Sequence, residues 1–242
     1  MRYPGGKNLA GVYQRIINLI PPHEVYVEPF CGSAAIYRHK RAAGRSILID
    51  RDPGAIAALG ERIRETRPQP ELLLDDGIRW LTEHRTRLDG KCFVYCDPPY
   101  LPSSLRSRQR YLCGMDESDH RELLNVLRRL ECGVMLSGYH SALYTEFLAD
   151  WRTISFPVIT RGGVMATECL WMNYPTPLEL HDYRCLGRNF RERERFRRQQ
   201  RRWARRLAAM DDLQRRALYS ALADGGFGDR ASTALQEASA PR

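Results

Sequence analysis

The sequence predicts an α/β protein on a mostly parallel sheet, with a late antiparallel hairpin and a basic helical extension behind it. Three observations carry this expectation. Short apolar runs alternate with amphipathic stretches of helical length, the pattern of strands joined by helical crossovers. The first run, Val25-Tyr26-Val27-Glu28-Pro29-Phe30, breaks into the small residues Cys31-Gly32-Ser33-Ala34-Ala35 as a helix opens. The next run ends in Asp50, and a later one, Cys92–Cys96, is followed by Asp97.

In chain order, a leading helix spans about 8–20 and the first strand 25–30. A helix is expected over about 33–43, a strand over 46–50 and a helix over about 53–67, which Pro68-Gln69-Pro70 breaks. The short strand Glu71–Leu74 is closed by Asp75-Asp76-Gly77, and a helix begins at Ile78. The strand 92–96 leads into a long loop over 101–115. A helix from Ser118 to Leu130 follows, with Ser118 as its cap. A strand at 133–136 and a helix at 141–149 precede two runs, 152–156 and 168–174, which form a hairpin joined by Arg161-Gly162-Gly163. The domain boundaries expected are 1–182 for the core, 183–223 for the extension and 224–242 for a disordered tail of small and polar residues.

Composition excludes several classes. A chain of 242 residues, 43% hydrophobic, buries one sizeable core plus appendages. No apolar run approaches the ~18 residues of a membrane span, and the N-terminus lacks the apolar stretch of a signal peptide, so a cytoplasmic protein is expected. The seven cysteines have no zinc-ligand spacing and are expected as reduced thiols; no metal is expected, and no histidine is given a role. The net charge of +9 has one source: eleven arginines against Glu192 and Glu194 between Arg184 and Arg206. Phe190, Phe196, Trp203 and Leu207 are interleaved there at spacings consistent with one side of a helix. Such a segment repels itself unless a polyanion neutralises it, which points to a nucleic-acid backbone.

The segment Asp97-Pro98-Pro99-Tyr100 carries the chemistry. Two prolines remove two backbone donors and fix two φ angles. What remains at the strand exit is a carboxylate, an unpaired carbonyl and a flat aromatic face. Such a set suits a planar group with an exocyclic amine, whose two N–H bonds need two acceptors. The small-residue turn at Gly32 allows a ligand close to backbone, and Asp50, 22 residues after Glu28, stands where an acid meets ribose hydroxyls. The turn is not G-x-G-x-x-G, which disfavours a nicotinamide cofactor.

Together these segments resemble the Dam-type DNA adenine methyltransferases, in their short phage and mobile-element forms. The matching pieces are Tyr3-Pro4-Gly5-Gly6-Lys7, Glu28-Pro29-Phe30-Cys31-Gly32-Ser33-Ala34, Asp50 and Asp97-Pro98-Pro99-Tyr100, in the family's order. Ser137-Gly138-Tyr139 and Glu168–Tyr174 also look like the short members, so the resemblance spans roughly residues 1 to 185. The family's turn usually carries two glycines, whereas here Ser33 and Ala34 follow Gly32.

The resemblance implies a Rossmann-like fold, S-adenosylmethionine as cofactor, and methyl transfer to the amine of an adenine flipped out of DNA. It implies Asp97, Pro98, Pro99 and Tyr100 as the catalytic segment. Tyr3, Gly6, Lys7, Glu28, Pro29, Phe30, Gly32, Asp50, Asp76 and Asp97 are implied at the cofactor. Tyr3 would pack on it, Lys7 would lie near its carboxylate, Asp50 would take the ribose, and Asp76, or else Asp75, the adenine amine. In larger relatives a target-recognition domain is inserted between the third and fourth strands. Here Asp76 and Asp97 are 21 residues apart, which leaves no room for it. Arg106, Arg108 and Arg110, together with Arg191, Arg195, Arg198 and Arg202, are the expected DNA contacts. Related cytosine enzymes usually have Ser in place of Asp97 and glutamine enzymes Asn, so Asp97 favours adenine. Adenine in RNA, a cytosine amine and a DNA-binding accessory protein are the alternatives.

Overall fold

The computed structural model describes residues 7–9, 11–101, 114–159, 163 and 165–224. The expectations for Tyr3, Gly6, Arg106, Arg108, Arg110, Arg161-Gly162 and the tail beyond 224 lie outside these residues.

Among the described residues, the strands are β1 (Val25–Glu28), β2 (Arg45–Asp50), β3 (Glu71–Leu74), β4 (Cys92–Cys96), β5 (Gly133–Gly138), β6 (Arg152–Ile159) and β7 (Met165–Met172). They form one sheet in the order β3-β2-β1-β4-β5-β7-β6. The first five are parallel, and β7 runs antiparallel to both β5 and β6. This is the Rossmann-like order, with an antiparallel strand slotted into one edge. The direction of progression reverses between β1 and β4, where Val27 pairs with Val94. In open α/β sheets a ligand crevice forms at such a point, outside the carboxyl ends of the strands.

Alternation of side chains decides what each face buries. One face carries Val27, Ile47, Ile49, Val94, Val134, Leu136 and Trp171, packed with Ile78 and Leu81 of α4 (Gly77–His84) and Leu123, Leu124 and Leu127 of α5 (Glu117–Leu127). The other carries Tyr26 and Phe93, stacked at 6.4 Å, with Tyr26 also against Tyr37 of α2 (Ala35–His39). Among the described residues, the remaining helices of this part are α1 (Val12–Ile17), α3 (Pro53–Ile63) and α6 (Ala142–Phe147).

Several boundaries differ from expectation, each for a local reason. α1 is shorter, because Gly11 enters it at φ +97° and Pro21-Pro22 follow its end. α2 stops at His39, where Lys40 turns extended and lays its ammonium over the Tyr26 ring at 4.1 Å. α5 is capped by Asp116 rather than Ser118: the Asp116 and Asp119 side chains each accept the other's backbone N–H at 2.9 Å. A reciprocal box satisfies two orphan donors where a lone serine satisfies one. The hairpin strands are longer than their apolar runs, since Arg152–Ile159 pairs continuously with Met165–Met172. Only α4 and one 3-10 turn (Arg85–Arg87) lie between β3 and β4.

The chain divides into two compact units, Met1–Asp182 and Tyr183–Arg242. The second contains α7 (Phe190–Ala208), capped by Asn189, and α8 (Asp212–Asp224). At ~100° per residue, Phe196, Trp203 and Leu207 share one stripe of α7, but Phe190 falls roughly 120° away from it. Phe190 therefore does not belong to the apolar side expected from its spacing; it is 68% exposed.

Candidate active site

Parallel strands deliver their carboxyl ends to one edge, and the first four ends carry an acid: Glu28 on β1, Asp50 on β2, Asp75-Asp76 after β3 and Asp97 after β4. The register Asp50↔Leu74 keeps the second and third of these level. Glu28 and Asp97 flank the reversal point.

At Asp97 a cluster assembles that no local pattern shows. The Lys7 ammonium donates to Asp97 Oδ1 at 2.8 Å, lies 3.1 Å from Glu168 Oε1 and bonds the Tyr100 hydroxyl. That hydroxyl donates to both Glu168 oxygens, at 3.1 and 3.2 Å, and the Ser137 hydroxyl donates to Oε1 at 2.6 Å. Lys7 and Glu168 are buried, whereas the Asp97 side chain keeps 18% exposure. Asp97 Oδ2 makes no hydrogen bond among the described residues. Burial disfavours the Lys7 charge, but Asp97 and Glu168 outweigh it and hold the lysine above its ordinary pKa. Burial pushes the Asp97 carboxyl above the usual range, with Lys7 opposing and Glu168 adding. Pro98 is buried behind the carboxylate, and the Tyr100 ring lies 4.4 Å from Tyr139.

The remaining acids are held differently. Asp50, 5% exposed, accepts the Gly32 N–H at 2.7 Å and the Asp52 N–H at 2.9 Å, which ties the small-residue turn to β2. Burial raises its pKa, against those two donors. Within that turn Ala34 takes φ +47°, a left-handed conformation that glycine adopts without the Cβ penalty. Glu28 is buried and accepts from the Tyr26 hydroxyl at 2.8 Å; burial pushes its pKa up to about 8. Asp76 caps α4 by accepting the Ile78 and Arg79 N–H groups at 2.9 and 3.0 Å through one oxygen, the other lying 3.7 Å from Arg51. Asp75 accepts the Asp76 N–H and pairs with Arg79. Pro29 is buried and Phe30 packs against the core, and a Cβ on Gly77 would sit 2.2 Å from the Pro29 carbonyl.

The structure thus brings Lys7 to the Asp97 segment. Glu168, Ser137 and Tyr139 join the site without having been given roles from sequence. The available signal was an acid inside the otherwise apolar run Glu168–Met172. Arg191, Arg195, Arg198 and Arg202 are all exposed on α7, at ~100° per residue within about 60° of one another.

Residues 81–159, from α4 through β6 and including Asp97–Tyr100, match the family model of the D12 class N6 adenine-specific DNA methyltransferases. No curated protein sequence matches. Among solved structures, a SAM-dependent methyltransferase from Agrobacterium tumefaciens is similar at 12% identity and TM-score 0.45, over 66% of this chain and 58% of its own. An rRNA methylase from Streptococcus thermophilus is similar at 10% identity and TM-score 0.44, over 69% of this chain and 96% of its own. Precorrin 8w decarboxylase from Methanobacterium thermoautotrophicum is similar at 14% identity and TM-score 0.45, over 71% and 94%. This chain spans less than two thirds of the length of the first. These are likenesses of fold alone. Residues 81–159 are thus similar to a methyltransferase family, and they lie within a sheet of Rossmann-like strand order. Over residues 81–159, the expected Dam-type resemblance is met by the D12 adenine-specific match.

Proposed function

We propose that the chain transfers a methyl group from S-adenosylmethionine to the exocyclic amine of adenine in DNA. The observation that carries this reading is Asp97 Oδ2, solvent-reachable and unengaged, beside a proline that has no backbone N–H. In this reading residues 1–182 are the catalytic domain without an inserted recognition domain, and 183–223 a basic extension.

The donor set suits the cofactor. Asp50 has two oxygens, each holding one backbone donor and each with a further lone pair for a ribose hydroxyl. Asp76 retains an oxygen outside the α4 cap, and exposed Leu74 beside it offers an apolar surface to a purine. Glu28, Pro29, Phe30 and Gly32 form the turn between them. When bound, S-adenosylmethionine supplies an electrophilic methyl on a positive sulfur that leaves as a neutral thioether.

The amine is the difficult partner, because its lone pair is delocalised into the ring. Asp97 Oδ2 and the Pro98 carbonyl accept its two N–H bonds and draw the nitrogen towards tetrahedral geometry. A hydrogen bond to a charged acceptor is worth roughly 1.5–3 kcal/mol. As the nitrogen bonds the methyl carbon it becomes positive, and Asp97 stabilises that charge and takes the released proton. Its raised proton affinity suits that last role. Tyr100 or the more exposed Tyr139 stacks on a base extruded from the duplex. The exposed arginine face of α7, with Arg106, Arg108 and Arg110, tracks phosphates.

Incubation with labelled S-adenosylmethionine and unmethylated DNA or RNA, followed by nucleoside analysis, tests this. N6-methyldeoxyadenosine from DNA is expected; label only in RNA, or in cytosine, would replace the reading.

A further inference from the structure

We propose that Glu168 is a positioning residue of the transfer site, which shares the Lys7 ammonium with Asp97 and anchors Tyr100, leaving one Asp97 oxygen open to the incoming amine. This rests on the functional reading above.

The geometry is that of a divided cation. An ammonium has three donors, and those of Lys7 go to Asp97 Oδ1, Glu168 Oε1 and the Tyr100 hydroxyl. Glu168 in turn receives Ser137, Lys7 and Tyr100, from β5, the N-terminal segment and the β4 exit, while itself standing on β7. A buried carboxylate is costly unless paired and fully hydrogen-bonded, and this one is placed where three donors converge. Without it Asp97 would be the only carboxylate paired with the ammonium, which would compete for the oxygen that the target amine needs.

Charge points the same way. Asp97 and Glu168 share one lysine, so the ionised cluster is negative by one, opposite to the charge that grows on the amine. The other titratable groups facing Asp97 are Glu28 on β1, Tyr95 and Cys96 on β4, Tyr100, Tyr139 after β5 and Tyr144 on α6. Glu28 is held largely neutral near pH 7 by burial. Glu168 therefore supplies the second charge. It raises the proton affinity of Asp97, which Lys7 alone would lower.

The test compares full-length wild type with Glu168→Gln, Glu168→Asp and Ser137→Ala. Glu168→Gln should slow single-turnover methyl transfer to DNA roughly 10- to 100-fold. Its cofactor affinity should be unchanged, and the acid limb of its pH–rate profile should move to lower pH. Glu168→Asp keeps the charge and should keep the limb in place, and Ser137→Ala should shift rate and limb slightly in the direction of Glu168→Gln. A rate unchanged in Glu168→Gln, or a fall with an unmoved limb, would make Glu168 a cross-link of the fold and overturn the proposal. A second readout needs no activity. The chain has three lysines, Lys7, Lys40 and Lys91, so isotope-labelled lysine resolves each by NMR. In Glu168→Gln the Lys7 signal should move and the other two stay; an unmoved Lys7 signal also overturns the proposal. Wild type that methylates neither DNA nor RNA would sink the functional reading, while the lysine spectrum still decides whether Glu168 holds the ammonium.

Discussion

At the scale of single residues, the acids at the carboxyl edge divide by what already holds them. Asp97 has an open oxygen, and in the proposed reaction that oxygen receives the target amine, so Asp97→Ala should abolish methyl transfer while cofactor affinity stays within about an order of magnitude. Calorimetry beside a transfer assay checks this, and retained turnover would remove Asp97 from the mechanism. Glu28 is held by burial, and its proton is the measurable consequence. Its folded pKa of about 8 lies above that of the unfolded chain. The folded state therefore binds the extra proton, so this group's contribution to stability is complete below the unfolded carboxylate pKa. It is lost as pH rises through 8. Glu28→Gln should flatten the decline of melting temperature between pH 5 and 8 relative to wild type; parallel curves would mean that Glu28 is ionised in the fold. The Asp97 tetrapeptide and the turn at Gly32 were legible from residue type alone, because prolines and small residues restrict or free the backbone wherever they stand. The partners of Asp97 were not, since Lys7 lies ninety residues away.

Elements were legible where periodicity and length agreed. β2, β3 and β4 lie within a residue of expectation, because each is a short apolar run bounded by turn residues. Helix ends were less so: the α5 cap went to Asp116, whose carboxylate could pair reciprocally with Asp119. Gly77 shows how an element is placed once it exists. The first residue of α4 runs so close to the end of β1 that an added methyl would lie 2.2 Å from the Pro29 carbonyl. Gly77→Ala should cost about 1–3 kcal/mol by overpacking, and should loosen the Asp76 cap next to it. Chemical denaturation measures the loss; an unchanged midpoint would show that α4 slides without penalty. α7 is a different kind of element. Its apolar stripe is narrow and its exposed arginines cover much of the rest, so its composition describes a partner more than a core.

At the scale of the whole molecule, charge is segregated. The segment 184–206, with eleven arginines against two glutamates, carries the entire net charge of +9, and the remainder is formally neutral. Truncation after Asp182 should leave a nearly neutral core that folds and binds the cofactor. DNA affinity should drop, and its salt dependence should flatten by about 0.9 in the log–log slope for each lost phosphate contact. Binding titrations from low to high salt decide it. A truncated protein with the full-length slope would move the DNA contacts to Arg106, Arg108 and Arg110.

The sequence by itself determined which segments become strands, where the glycine turn and the proline pair fall, and where the charge sits. These depend on side-chain period and on backbone restriction, both properties of neighbouring residues. Only the tertiary structure decided that Glu168 stands beside Asp97 and that Lys7 is divided between them. β7 inserts between β5 and β6, and this pairing carries Glu168 to Ser137 and Tyr100 across 31 and 68 residues. Strand order is set by the packing of the whole sheet, and the alternation along any one strand is the same whichever neighbour it finds.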